Sequence, residues 1–164
     1  MKKTIVGIMG PGLGATEVNL ENAYKLGQSI AENGWVLLTG GWKSGVMDAA
    51  SQGAKSANGL TIGILPGQDS QGVSEAIDIA IITGMGSARN NINVLSSDVV
   101  IACGIGAGTV SEIALAIKAN KPVILLNNNP ESQVFFQHLS PKNIFVVATV
   151  EEAIAQVRQT TNNK

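Results

Sequence analysis

Asp98-Val-Val-Ile-Ala-Cys-Gly-Ile-Gly-Ala-Gly-Thr-Val-Ser-Glu112 is the stretch on which the reading of this chain turns. Apolar residues fill 99–103 without interruption, the glycines Gly104, Gly106 and Gly108 follow in alternation, and a helical pattern opens at Thr109. A strand that is apolar at every position has both faces covered, as parallel strands do. Glycine lets the backbone approach a ligand closely, and the first turn of a helix presents unpaired N–H groups and partial positive charge. Strand, glycine loop and helix start therefore make a seat for a phosphate, with Ala107 and Thr109 inside it. Thr109-Val-Ser-Glu112 is equally a capping box, in which Thr109 and Glu112 satisfy each other's backbone donors, so Glu112 has a structural role open to it beside a ligand role.

The same alternation runs along the chain. Strand-length apolar runs at 4–9, 35–39, 60–65, 79–83, 99–103, 123–126 and 144–147 are interspersed with helical stretches at 16–33, 44–57, 87–96, 109–119 and 150–159. That pattern predicts a doubly wound, mostly parallel Rossmann-like α/β sandwich. Gly34 and Asn120 supply helix stops, and the tail 160–164 reads as frayed. No repeat, linker or low-complexity block interrupts residues 1–164, which are read as one domain.

Glycine turns fall at corresponding places after the strands. Gly10 and Gly12 follow the first, Gly40, Gly41 and Gly45 the second, and Gly84 and Gly86 precede Arg89. With the 104–108 loop they converge on the carboxyl edge of the sheet, where open α/β sheets hold their ligands. Arg89 is the one arginine apart from Arg158, and its planar fork suits a phosphate or carboxylate. Asn90 and Asn93 add neutral hydrogen bonds to a polar ligand, or Asn90 and Asn91 serve as helix-start residues. Trp42, inside the second glycine turn, is a lid over a planar ligand or an oligomer contact. Cys103 reads as a small buried hydrophobe and His138 as a surface or packing residue.

Several function classes lose support. Gly10-Pro-Gly-Leu-Gly14 lacks the G-x-G-x-x-G spacing and no acidic residue ends the second strand, which argues against NAD. Lys43-Ser44 is not framed by the glycines of a P-loop. No Ser/His/Asp set and no Cys/His spacing indicates a nucleophilic triad or a structural metal. Eleven basic residues against twelve acidic give a net charge of −1 with no basic run, so nucleic acid is not an expected partner. The single cysteine excludes an intrachain disulfide, the apolar run behind Met1-Lys-Lys3 ends at Gly10-Pro-Gly12, and no stretch reaches the roughly 18 apolar residues that span a bilayer. The expected location is the cytoplasm.

Thr39-Gly-Gly-Trp-Lys-Ser-Gly-Val-Met47, Arg89 and Gly106-Ala-Gly-Thr-Val-Ser-Glu112 together resemble the Rossmann-like LOG superfamily over nearly the whole chain. The first resembles that group's glycine turn ending in G-[LV]-M, and the last the second half of P-G-G-x-G-T-x-x-E. The superfamily contains the Lonely Guy phosphoribohydrolases, which activate cytokinins, and the molybdenum cofactor carrier proteins. In the hydrolases the matching arginine and glutamate are catalytic, which implies such roles for Arg89 and Glu112 if this chain is an enzyme. It departs from them, however: Gly104 and Ile105 stand in place of Pro and Gly, Asn90 in place of Lys, Met85 is displaced by one residue, and the expected His is absent. Arg89-Asn90 and the short length resemble the carrier branch. That resemblance implies molybdenum cofactor as bound cargo with its phosphate on the glycine loops and Arg89, a homo-oligomer (dimer or tetramer), and a molybdoenzyme as recipient. A nucleoside monophosphate phosphoribohydrolase and a nucleotide-binding sensor are the alternatives.

Overall fold

Valine, isoleucine and leucine dominate the central strands because each side chain, whichever way the pleat points it, meets a helix. The computed structural model describes residues 2–126 and 128–162. In chain order the elements are β1 (Ile5–Met9), α1 (Glu17–Glu32), β2 (Val36–Thr39), α2 (Gly45–Ser56), β3 (Thr61–Leu65) and β4 (Ile79–Ile82). A 3-10 turn (Gly86–Arg89) then runs into α3 (Asn90–Ser96), followed by β5 (Val99–Cys103), α4 (Ala107–Lys118), β6 (Val123–Leu126), α5 (Pro130–Leu139), β7 (Ile144–Val147) and α6 (Val150–Asn162). The strands form one parallel sheet in the order β4-β3-β2-β1-β5-β6-β7. This is the doubly wound Rossmann-like fold that the alternating pattern predicts.

Two cores lie on opposite faces of the sheet. Ile8, Ile101 and Ile124 pack with Leu26 of α1, Ala50 of α2 and Ile154 of α6. Their neighbours Met9, Val100 and Leu125 point the other way, onto Val94 of α3, Ile113 of α4 and Phe136 of α5. The alternation along β5 and β6 is thus a period of two inside a run with no polar residue. Helices α1 and α2 touch backbone to backbone: a Cβ on Gly27 would stand 1.9 Å from the Ala50 carbonyl oxygen, and one on Gly53 equally close to that of Tyr24. Cys103 is wholly buried, its Sγ 3.5 Å from the Asn19 carbonyl oxygen, and burial pushes its thiol up to about 12.

The structure amends three sequence expectations. Residues 130–139, for which no helix is expected, form α5, capped by Asn129, whose side chain accepts from the Ser132 amide, with Pro130 opening the first turn. His138 lies in its last turn. Helix α4 begins at Ala107 rather than Thr109, because Gly106 in extended conformation is the cap. The tail expected to fray at 160–164 is helical through Asn162, and its last two residues lie outside the described residues.

Candidate functional site

The chain winds outward from β1 through β2, β3 and β4, then returns to lay β5 on the other side of β1. Beyond the carboxyl ends of these two strands, the following turns part in opposite directions, and a crevice opens at such a switch point. A cleft of about 800 Å³ occupies this place. Its walls are the β1–α1 turn, the turn after β2, Pro66-Gly67 after β3, the 3-10 turn and the start of α4.

The helix start supplies its anion-binding end. Val110 N–H donates to the Gly106 carbonyl at 2.8 Å, which closes the first turn. The amides of Ala107, Gly108 and Thr109 precede that bond and have no acceptor within the helix. A Cβ on Gly108 would meet nothing within 4 Å, so this turn presents open backbone. The Thr109 hydroxyl is buried without a hydrogen-bond partner. The capping box read from Thr109 to Glu112 does not form, since no side chain caps α4. Both residues are thereby left with other roles.

Beside that turn lies a buried charged cluster. Arg89 Nη1 stands 3.8 Å from Glu112 Oε1, and both side chains are almost fully covered. Arg89 also donates to Asn90 Oδ1 and, at 3.5 Å, to the Gly40 carbonyl, while its Nε has no partner. Asn93 donates to Glu112 Oε1 at 2.8 Å, and Asn90 to Ser111 Oγ at the same distance. Burial raises the Glu112 carboxyl above its ordinary range, against the opposing pull of the Asn93 hydrogen bond and the Arg89 charge. The same burial lowers the Arg89 guanidinium, which Glu112 counteracts, and the group remains charged. The result is a pre-aimed guanidinium whose Nε has no partner, partly balanced by a carboxyl held above its ordinary range.

Of the residues singled out in the sequence, Gly10, Gly12, Gly40, Gly86, Arg89, Asn90, Ile105, Gly106, Ala107, Gly108, Thr109 and Glu112 line the cleft. Gly41, Gly45 and Gly104 lie behind it and shape its turns. Gly45, at φ +54°, lets the α2 start approach Gly12, whose carbonyl oxygen would stand 2.2 Å from an added Cβ. Gly104, at φ +79°, closes against the Asn19 side chain and lines a neighbouring shallow hollow instead. Trp42 and Met47 also line the cleft, as do Pro66 and Gly67, which the sequence reading passed over although they too follow a strand end. Asn93, one of two buried asparagines on the short α3, reaches the cluster only through Glu112. Among the described residues no group of three or more His, Cys, Asp or Glu is placed to hold a metal ion. None of the described helices is long and apolar enough to cross a membrane.

The family model for the SLOG cluster4 family matches residues 3–154. The chain belongs to the SLOG cluster4 family. Its likeness to solved structures extends over the whole length. It is 60% identical to the molybdenum cofactor binding protein of the phototrophic bacterium Rippkaea orientalis, covering 97% of this chain and 98% of that one, with a TM-score of 0.96. It is 51% identical to the molybdenum cofactor carrier protein of Chlamydomonas reinhardtii, covering 98% and 99%, with a TM-score of 0.95. A protein of Archaeoglobus fulgidus is 46% identical over 126 residues, 77% of this chain and 82% of that one. The resemblance to the LOG superfamily drawn from the glycine turns is thus that of an SLOG cluster4 member.

Proposed function

We propose that this SLOG cluster4 protein carries molybdenum cofactor, holding the phosphate-bearing pterin as cargo at the carboxyl edge of its sheet and breaking no bond. The observation that carries the reading is the full-length likeness, at 60% and 51% identity, to proteins described as molybdenum cofactor binding and carrier proteins. The cleft supports it: open amides at the α4 start and the unpartnered Arg89 Nε suit a terminal phosphate, and the volume of about 800 Å³ is ample for a fused-ring ligand. Gly10, Gly12, Gly40, Asn90 and Gly106 form the surrounding walls.

In this reading the protein acts in the cytoplasm as a homo-oligomer of one Rossmann-like domain per chain and hands its cargo to a molybdoenzyme. Oligomerisation is supported by β4, an edge strand whose Ile79, Ile81 and Ile82 are all more than 40% exposed. Native mass spectrometry of gently purified protein tests the reading. A retained mass equal to molybdenum cofactor is expected, and a retained nucleotide or an empty protein under cofactor-replete expression overturns it.

One observation favours a second reading. Glu112, buried beside Arg89 with its carboxyl raised above the ordinary range, is the kind of group that assists cleavage of a bond between base and ribose. Robust release of free base from AMP or a cytokinin riboside monophosphate, lost in Glu112→Gln, would make the chain a phosphoribohydrolase.

A further inference from the structure

Trp42 is held firmly and buried poorly. Its backbone forms an antiparallel bridge with Val73, flanked by Ser74 N–H donating to the Gly41 carbonyl at 2.9 Å and Lys43 N–H donating to that of Gly72 at 2.8 Å. Yet its side chain is 46% exposed, although it lines the cleft. An indole that the core leaves half in the open, on a backbone pinned from both sides, keeps about half of its area available to a ligand.

The cleft carries both polar and apolar wall. The free amides of α4 stand after β5, and the Arg89 guanidinium lies between them and the end of β2, 3.8 Å from Glu112 and 3.5 Å from the Gly40 carbonyl. Trp42, Met47 and Pro66 supply apolar wall on the β2 and β3 side, with Ser44 among them, and Leu13, wholly exposed on the β1–α1 turn, also lines the cleft.

The geometry points to Trp42 as the stacking wall for a flat heteroaromatic ring, with the ring over the ends of β2 and β3 and the phosphate over β1 and β5. The ligand class is a fused bicyclic heterocycle bearing a phosphate on a short arm. For the identity of that ring as a pterin this rests on the carrier reading above. An indole face offers stacking to such a ring whatever its hydrogen-bonding edge, so Trp42 contributes affinity and orientation rather than fine discrimination.

The test uses the intact protein, its Trp42→Ala and Trp42→Phe variants, and three probes: 6-hydroxymethylpterin, its monophosphate and inorganic sulfate. Calorimetry should show both pterins binding about tenfold more weakly to Trp42→Ala, within the range of a lost stacking contact. Sulfate affinity should stay within about twofold, since an indole ring adds no hydrogen bond to the amides and guanidinium that hold the anion. Trp42→Phe should retain most of the pterin affinity while losing the quenching of tryptophan fluorescence, because the remaining Trp35 packs against the core. Melting temperatures of the unliganded variants should match the parent. Pterin affinity unchanged in Trp42→Ala, or quenching that persists in Trp42→Phe, overturns the assignment. If the parent binds pterins through Trp42 but retains no molybdenum cofactor, the carrier reading falls and the stacking wall stands; if the parent binds no pterin, both fall.

Discussion

Replacing Arg89 by alanine separates what the guanidinium does for the fold from what it does for a ligand. Two unit charges about 4 Å apart interact by roughly 4 kcal/mol at the effective dielectric constant of about 20 that suits such sites. The Arg89 to Glu112 separation is 3.8 Å, and both side chains are nearly covered. Removing the arginine also removes its own desolvation cost, so we expect a net loss of about 2 kcal/mol at pH 7.5, below the 3 to 5 kcal/mol typical of tight buried pairs. The sign of the pH effect follows from Glu112, whose carboxyl is raised by burial above 4.5 and would rise further without its partner. A raised carboxyl costs stability above its folded pKa, and the cost fades as pH falls toward the unfolded value. The Arg89→Ala deficit should therefore shrink at pH 5. In Arg89→Ala/Glu112→Gln, a neutral amide can still accept from Asn93, and stability at pH 7.5 should largely return. Anion binding should not return: its loss, about 1.5 to 3 kcal/mol for a charged hydrogen bond, should persist in the double variant. Urea unfolding at the two pH values and calorimetric titration with inorganic phosphate measure both. A double variant no more stable than Arg89→Ala, or one that binds phosphate like the parent, would refute the argument.

Glu112→Gln removes a negative charge beside the anion seat; it should tighten sulfate binding several-fold at pH 8 and flatten the rise in affinity that the parent shows on acidification, read by titration between pH 5 and 8. Gly27→Ala forces a methyl to 1.9 Å from the Ala50 carbonyl and should cost roughly 1 to 3 kcal/mol or more by chemical denaturation. Gly108→Ala meets nothing, so it should stabilise α4 by about 0.5 to 1 kcal/mol while weakening phosphate binding, an opposite pair of effects seen in the same two assays. Sedimentation at micromolar concentration should show an oligomer burying more than roughly 1,000 Å² per interface, and Ile81→Lys on the exposed β4 edge should lower its mass; a monomeric parent would contradict this.

The sheet was legible because its residues have one purpose. Val99 to Cys103 face helices on both sides, so the run is apolar throughout, and glycines mark where each turn leaves the carboxyl edge. Helix α5 was not legible, because it buries Phe136 while exposing Val134, Phe135 and Leu139, leaving no inward stripe to find. The readable signal was local, Asn129 followed by Pro130 at a helix start. The start of α4 was misplaced for a related reason: Thr109 and Glu112 match a capping pattern, but Gly106 ends the strand-like backbone earlier. Which glycines line the cleft and which stand behind it depends on distances across the sheet, as Gly104 against Asn19 shows, and no spacing along the chain carries that information.

The buried thiol at the end of β5 makes a built-in clock. Burial pushes the Cys103 thiol up to about 12, so it is held as the unreactive thiol, and it sits at zero exposure beneath the switch point. It neither exchanges with disulfides nor meets oxidants while the sheet is closed. Since the chain has no other cysteine, the rate at which an alkylating reagent marks the protein counts openings of the sheet's centre and nothing else. A ligand clamped across β1 and β5 should slow that rate in proportion to its occupancy, so a native thiol reports the cargo without an engineered label.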